Sequence, residues 1–256
     1  HTSEAFIGRA LKNLGHDRSD WVIATKFGHK FHRPFERTEP REPGDIREQV
    51  ESSLRHLRTD YVDLMQYHSF GDGDFFRDDV LAECRKMIDE GKMRHLGNSV
   101  GSNTNAKQIA ASQDRSCEAI QIIYNRLDQA PEDKVFEICR EQNLGVLARV
   151  PLASGLLTGK YQPGHQFESN EVRGKWRKQE DIDAALTKVQ TIQRDEYEKD
   201  VDPAKIDMAT WALAWCLKHP AVTCVIPGCK SVAQVESNAL AGTLDMVPND
   251  HPQAAI

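Results

Sequence analysis

No apolar run in this sequence approaches the roughly 18–20 residues of a bilayer span. The most apolar stretch, residues 212–217 (ALAWCL), is short and punctuated like a core helix. Positive charge is not in excess: 33 Lys and Arg stand against 39 Asp and Glu, a net charge of −6, so nothing global points to nucleic acid or an anionic membrane. The ten histidines offer no HxxxH spacing, so no metal site is expected. The six cysteines form no CxxC pair and sit mostly in apolar patterns, which reads as reduced thiols in a cytoplasmic protein. Neither repeats nor low-complexity tracts occur. The fingerprint G-x-G-x-x-G, which an open doubly wound dinucleotide-binding sheet would carry after a strand, is also missing.

What is present is enough for one barrel-sized domain: 256 residues, 39% hydrophobic and 28% charged. The stretch WVIATKFG at 21–28 reads as a short buried strand with a lysine, Lys26, near its end. DYVDLMQYH at 60–68 repeats the device and ends in His68. An ionisable residue at the end of a buried strand must find a partner, stay partly exposed or change its protonation. If the two strands are parallel neighbours, both side chains stand over one mouth of the sheet, where α/β enzymes keep their active sites.

Strands are expected near 22, 62, 94, 120, 146 and 224, each followed by a helix. Strict alternation argues for parallel strands with right-handed crossovers. A helix is expected from Asp45, with Asp45 and Glu48 as a capping box. Residues 27–43 read as a long loop, in which Phe27, Phe31 and Phe35 either pack together or cover an apolar substrate. The chain opens at His1 with an amphipathic helix (Ile7, Ala10, Leu11, Leu14) that looks like the inside of a domain. The fold class expected is therefore α/β, a (β/α)₈ TIM barrel over residues 1–256 as one domain, with the first two strands and first helix, roughly 50 residues, upstream of this chain.

Several motifs together resemble the aldo-keto reductases. SEA and IGRAL at 3–11 resemble the family's second helix, ATKFG at 24–28 its catalytic-lysine strand, and DYVDLMQYH its histidine strand. EGK and RHLG at 90–97, PLASGLLTGKY at 151–161, and PGCK at 227–230 running on to Asn238 match further motifs, in the family's order along the whole chain. The style is that of the bacterial, potassium-channel-β-subunit-like branch. The resemblance implies an NADPH-dependent oxidoreductase (EC 1.1.1.-) that reduces a small-molecule aldehyde or ketone. Its tetrad is Asp, Tyr, Lys and His. Lys26 and His68 take the last two places, and the Asp and Tyr are expected upstream of His1. Tyr67 is no substitute, because neighbours on a strand face opposite ways.

For NADP(H), the resemblance assigns Ser99 and Gln121 to the carboxamide. Arg149 stands where the family often stacks an aromatic ring, and Val100 where it has an asparagine; both are departures. Leu152, Ser154, Gly155, Lys160 and Arg173 would line the pyrophosphate. Gly228 belongs to the clamping loop, Lys230 and Ser231 would take the 2′-phosphate, and Gln234 and Asn238 would face the adenosine. Lys230 is the reason for NADP over NAD. Taken singly, each residue has a plainer reading: Lys26 as an ion-paired lysine, His68 as a hydrogen-bonded structural one, Lys230 and Ser231 as an ordinary helix start. An NADP(H)-sensing regulatory subunit and a Schiff-base lyase using Lys26 remain as alternatives.

Overall fold

A computed structural model of the protein describes residues 2–15, 17–33, 36–168, 171, 173, 178–248 and 250–251. They divide into two compact units, 1–122 with 137–145, and 123–136 with 146–256.

In the first unit, helix Thr2–Leu14 and a 3₁₀ turn, Arg18–Asp20, lead to β1, Ala24–Phe27. An antiparallel hairpin follows, β2, Lys30–Arg33, and β3, Glu36–Thr38. Helix Pro43–Leu57 then leads to β4, Val62–His68. Helices Asp72–Phe75 and Asp78–Asp89 lead to β5, Met93–Ser99, and helix Ala106–Ala110 to β6, Cys117–Ile123. The order β1-β4-β5-β6 is parallel at every pairing. β4 is buried from Val62 through Tyr67 on both faces, as expected of an inner parallel strand. On its helix side Met65 and Tyr67 join a core with Phe70, Phe75, Cys84 and Met87.

The first strand begins at Ala24 rather than Trp21. Side chains alternate, so of the apolar run only Ile23 turns into the core, while Val22 is 86% exposed. The expected loop at 27–43 contains the hairpin. Phe27 leaves it for the core, packing edge-on against Tyr67 and Phe70 at 4.9 and 5.7 Å, whereas Phe31 is exposed. Phe35 lies outside the described residues. The second helix starts at Pro43, and its cap, Glu42, makes no side-chain capping bond, so no capping box forms at Asp45 and Glu48. Proline suits the first helical position because no N–H is needed there.

Gly28 ends β1 at φ +104°, a backbone conformation that side chains rarely adopt. A Cβ there would also run into the buried Phe70 ring. Its N–H donates to Gln49 Oε1 at 2.8 Å, and Gln49 Nε2 donates to the carbonyls of Pro40 (3.0 Å) and Asp45 (3.1 Å). One glutamine thus pins both ends of the hairpin segment to the helix. Gly28→Ala is expected to lower unfolding free energy by about 3 kcal/mol, from backbone strain plus overpacking. Urea denaturation checks it; a midpoint equal to wild type would refute it.

In the second unit β7, Gly145–Arg149, pairs in parallel with β8, Cys224–Ile226. Helix Gln179–Ile192 widens into a π turn, Gln193–Tyr197. Helix Met208–Leu217 is apolar all round and therefore buried, packing with Leu156, Leu157, Leu186 and Val189. Asp207 caps it at the Thr210 N–H (2.7 Å) and also accepts from Ser237 Oγ (2.9 Å), tying it to helix Val232–Leu240. No helix among the described residues is long and apolar enough to cross a membrane. The six cysteines are free thiols. Burial pushes Cys84 and Cys139 up to about 12, while Cys229 is exposed.

Candidate active site

Sheet register decides which side chains stand together at the strand ends. Residues paired across parallel strands face the same side. His68 pairs with Ser99, and Ser99 with Gln121, so three of the expected residues form one row across β4, β5 and β6. Lys26 pairs with Gln66, two residues before His68 and therefore on the same face. Lys26 and His68 both line a cleft of about 900 Å³. Glu4 of the first helix reaches its wall and accepts a hydrogen bond from Thr25 Oγ1 at 2.7 Å. Tyr67 points the other way, into the helix layer, where its hydroxyl donates to Cys84 Sγ at 3.7 Å and burial pushes its pKa well above the usual phenol value.

The face that carries Lys26 and His68 is polar although buried. Ser99 and Gln121 are 2% and 5% exposed. Gln66 is fully buried, and neither its amide oxygen nor its nitrogen has a hydrogen-bond partner. An amide left this way costs free energy unless a ligand or water meets it. The donor set suits an amide-bearing ligand. Val100 supplies no side-chain donor: it is buried and apolar, and its N–H goes to the Gln121 carbonyl at 3.1 Å. Asn98, one residue before Ser99, faces away and donates to Gln108 Oε1 at 3.1 Å.

In the second unit Arg149 ends β7 opposite Ile226, and burial pulls its guanidinium pKa down. Beyond it the backbone is strained. Val150, Ala153 and Ser154 all have positive φ (56°, 49° and 60°), followed by Gly155 at 94°. Runs of this kind persist where surrounding structure over-determines them, and they cluster at functional sites. A Cβ on Gly155 would stand 3.3 Å from Arg173 Nη1, so the guanidinium lies over the glycine backbone. Arg173 is held there by Tyr161 Oη (2.9 Å) and Glu171 Oε2 (2.8 Å), with its Cζ 4.1 Å from the Phe167 ring centre. Leu152 and Ser154 belong to this turn. Lys160 is exposed, and its charge falls on Asp207.

Gly228 and Lys230 are exposed ahead of helix Val232–Leu240. Ser231 caps that helix: its Oγ accepts from the Gln234 N–H at 3.3 Å, while Gln234 Oε1 accepts from the Lys230 N–H at 2.6 Å. Ser231 and Gln234 therefore serve the helix start with part of their hydrogen-bonding capacity. Asn238 lies one turn further on and is half-buried. The sequence reading missed three residues. These are His29, Gln66 and Tyr161. Register and loop packing bring all three into place, and no local pattern announces them.

The family model described as the aldo/keto reductase family matches residues 1–254. Aldo-keto reductase yakc [NADP(+)] of Schizosaccharomyces pombe is 30% identical, over 92% of this chain and 68% of that protein. The NADH-specific methylglyoxal reductase of Escherichia coli is 29% identical, over 97% of this chain and 77% of its own. Among solved structures, the glycerol dehydrogenase AKR11B4 of Gluconobacter oxydans superposes with a TM-score of 0.79 at 25% identity, covering 99% of this chain and 75% of that one. The holo form of aldo-keto reductase AKR11C1 of Bacillus halodurans gives 0.74 at 27% identity, covering 98% and 76%. The expected α/β fold of the (β/α)₈ class holds. With its motifs in order and nearly every residue matched, the chain belongs to the aldo/keto reductase family.

Proposed function

We propose that the protein is an NADP(H)-dependent oxidoreductase that reduces a small aldehyde or ketone to an alcohol, with residues 1–256 acting as one aldo-keto reductase domain. The observation that carries this is the polar row His68–Ser99–Gln121 with Lys26 on the same face. When bound, the nicotinamide supplies the hydride. Ser99 and Gln121 hold its carboxamide, a role their burial and shared face support. Arg149 would help hold the ring through its planar guanidinium. Leu152, Ser154, Gly155 and Arg173 receive the pyrophosphate, with Lys160 contributing charge. Lys230 and Ser231, with Gly228 leaving room, meet the 2′-phosphate, and Gln234 and Asn238 face the adenosine.

Carbonyl reduction builds negative charge on the substrate oxygen. Lys26 places a positive charge on the face where that charge develops, and His68 as a neutral ring donates to the oxygen. Tyr67 does not serve as the acid, since it is packed among the helices.

The two relatives carry opposite cofactors in their names, so family membership leaves the preference open. Lys230 decides it in this reading. Lys230→Met is expected to weaken NADPH binding about 10- to 100-fold, the worth of one charge-assisted contact, while NADH binding stays within about twofold. Fluorescence titration with both cofactors measures this. Equal losses for the two would refute the 2′-phosphate role. Steady-state assays with NADPH and simple aldehydes test the activity. Tight binding with no turnover of any of them would instead support a nucleotide-sensing subunit.

A further inference from the structure

His29 has no part in the reading above, yet its ring lies against that of His68. The two centroids are 4.0 Å apart and the planes are tilted by 35°, a tilted stack. Phe31 packs edge-on against His29 at 6.1 Å and 87°. The His29 side chain is only 2% exposed although it borders the cleft that Lys26 and His68 line.

The backbone that delivers this ring is pinned. Gly28 turns the chain at positive φ, and its N–H is bonded to Gln49, which also holds the far end of the hairpin segment. The ring itself is not tied by hydrogen bonds: neither nitrogen has a hydrogen-bond partner. What His29 offers its surroundings is therefore its flat face. The nearest opposite charge, Glu39 Oε1, is 3.5 Å from Nε2, but that carboxylate is already shared by Arg37 (3.1 Å) and Arg41 (2.8 Å).

We propose that His29 is a positioning residue for His68: its ring stacks on the His68 imidazole and fixes the plane in which that ring meets a substrate oxygen. This rests on the reading of His68 as a reductase histidine. The electrostatics are compatible with it. Burial and the charge of Arg37 hold His29 below the usual histidine pKa, Glu39 pulls the other way, and Arg41 adds to the lowering. An uncharged ring sets no cation face to face with His68. Lys26, Lys30 and His32 border the same cleft, as do Glu4, Asp45 and Glu48. A stack also needs no particular nitrogen, so a planar apolar ring should replace it where a branched side chain should not.

The test compares wild type, His29→Phe, His29→Leu and His68→Gln by steady-state kinetics with NADPH and an aldehyde, and by ¹⁵N shifts of the His68 ring. His29→Leu is expected to lower kcat by about 10- to 100-fold, with KM within about twofold, because a misoriented group loses rate rather than binding. His29→Phe should restore kcat to within about threefold of wild type. The ¹⁵N shifts should report one His68 tautomer in wild type and His29→Phe, and a mixture in His29→Leu. Equal losses in the Phe and Leu variants, or a Leu variant with wild-type kcat and unchanged shifts, would overturn the proposal. If His68→Gln abolishes turnover while His29→Leu leaves it intact, the stack is dispensable and the reductase reading stands. If even wild type shows no turnover, the reductase reading fails, and the ¹⁵N shifts alone decide the stack. Should His29→Leu fail to fold by circular dichroism, His29→Gln replaces it with the same expectation.

Discussion

Lys26→Met is expected to lower kcat by about 10²–10³-fold, the usual cost of removing one group aimed at charge developing in the transition state. Lys26 is the third residue of β1, in register with Gln66 and on the face of His68. Methionine keeps most of the aliphatic stem and removes the ammonium, so packing changes little and stability should stay within about 1 kcal/mol of wild type. Lys26→Arg should not rescue activity, because a planar fork does not replace a compact point charge. Steady-state kinetics with NADPH and an aldehyde, alongside a urea midpoint, separate the two effects. A folded Lys26→Met variant that keeps more than half of wild-type kcat would exclude Lys26 from the chemistry. The same variant addresses the lyase alternative. Borohydride trapping of a carbonyl compound on wild type but not on Lys26→Met would favour a Schiff base over an electrostatic role.

Asp63→Ala is expected to cost about 3 kcal/mol of stability, the low end for breaking a buried ion pair because one partner is half exposed. Asp63 is the second residue of β4, at the end away from the cleft. Its Oδ2 accepts from the Ile23 N–H (2.9 Å) and from Arg18 Nη2 (2.7 Å), and its Oδ1 from Arg94 Nη1 (3.0 Å). The two guanidiniums also sandwich the Tyr61 ring, with their Cζ atoms 4.1 and 4.0 Å from its centre. Removing the carboxylate leaves a buried N–H and two converging cations without their shared acceptor.

Burial works against this charge, but the Ile23 N–H and the two arginines outweigh it and hold the Asp63 pKa below the usual aspartate value. A carboxyl depressed in the folded state contributes its full stability above the unfolded value, about 3.9, and loses it as pH falls through the lower folded value. Wild type should therefore lose this contribution in acid below about pH 4, and Asp63→Ala should show a shallower acid limb. Unfolding midpoints from pH 7 to pH 2 measure it. Parallel pH profiles for the two proteins would refute the assignment.

Periodic patterns carried most of the fold. The apolar spacing of Ile46, Val50, Leu54 and Leu57 is the buried face of the second helix, and residues 62–67, apolar except for Asp63 and Gln66, form a strand buried on both faces. Local chemistry marked Ser231 as a helix cap. It misled at Asp45 and Glu48, because a proline at the first helical position moved the helix start two residues upstream. Residues 27–43 read as a loop because alternating polar residues and prolines hide a short exposed hairpin, in which no apolar face signals pairing.

The sequence by itself determined the family, the alternation of parallel strands with helices, and the two ionisable residues near the ends of β1 and β4. Each of these is written in residue type and short-range spacing. Only the tertiary structure decided that His68, Ser99 and Gln121 share one row, that Gln66 lies buried beside Lys26 without a partner, and that His29 stacks on His68. The physical reason is that strand register and ring contact join residues tens of positions apart. They are set by how strands pair and helices pack, and no local pattern in the chain encodes them.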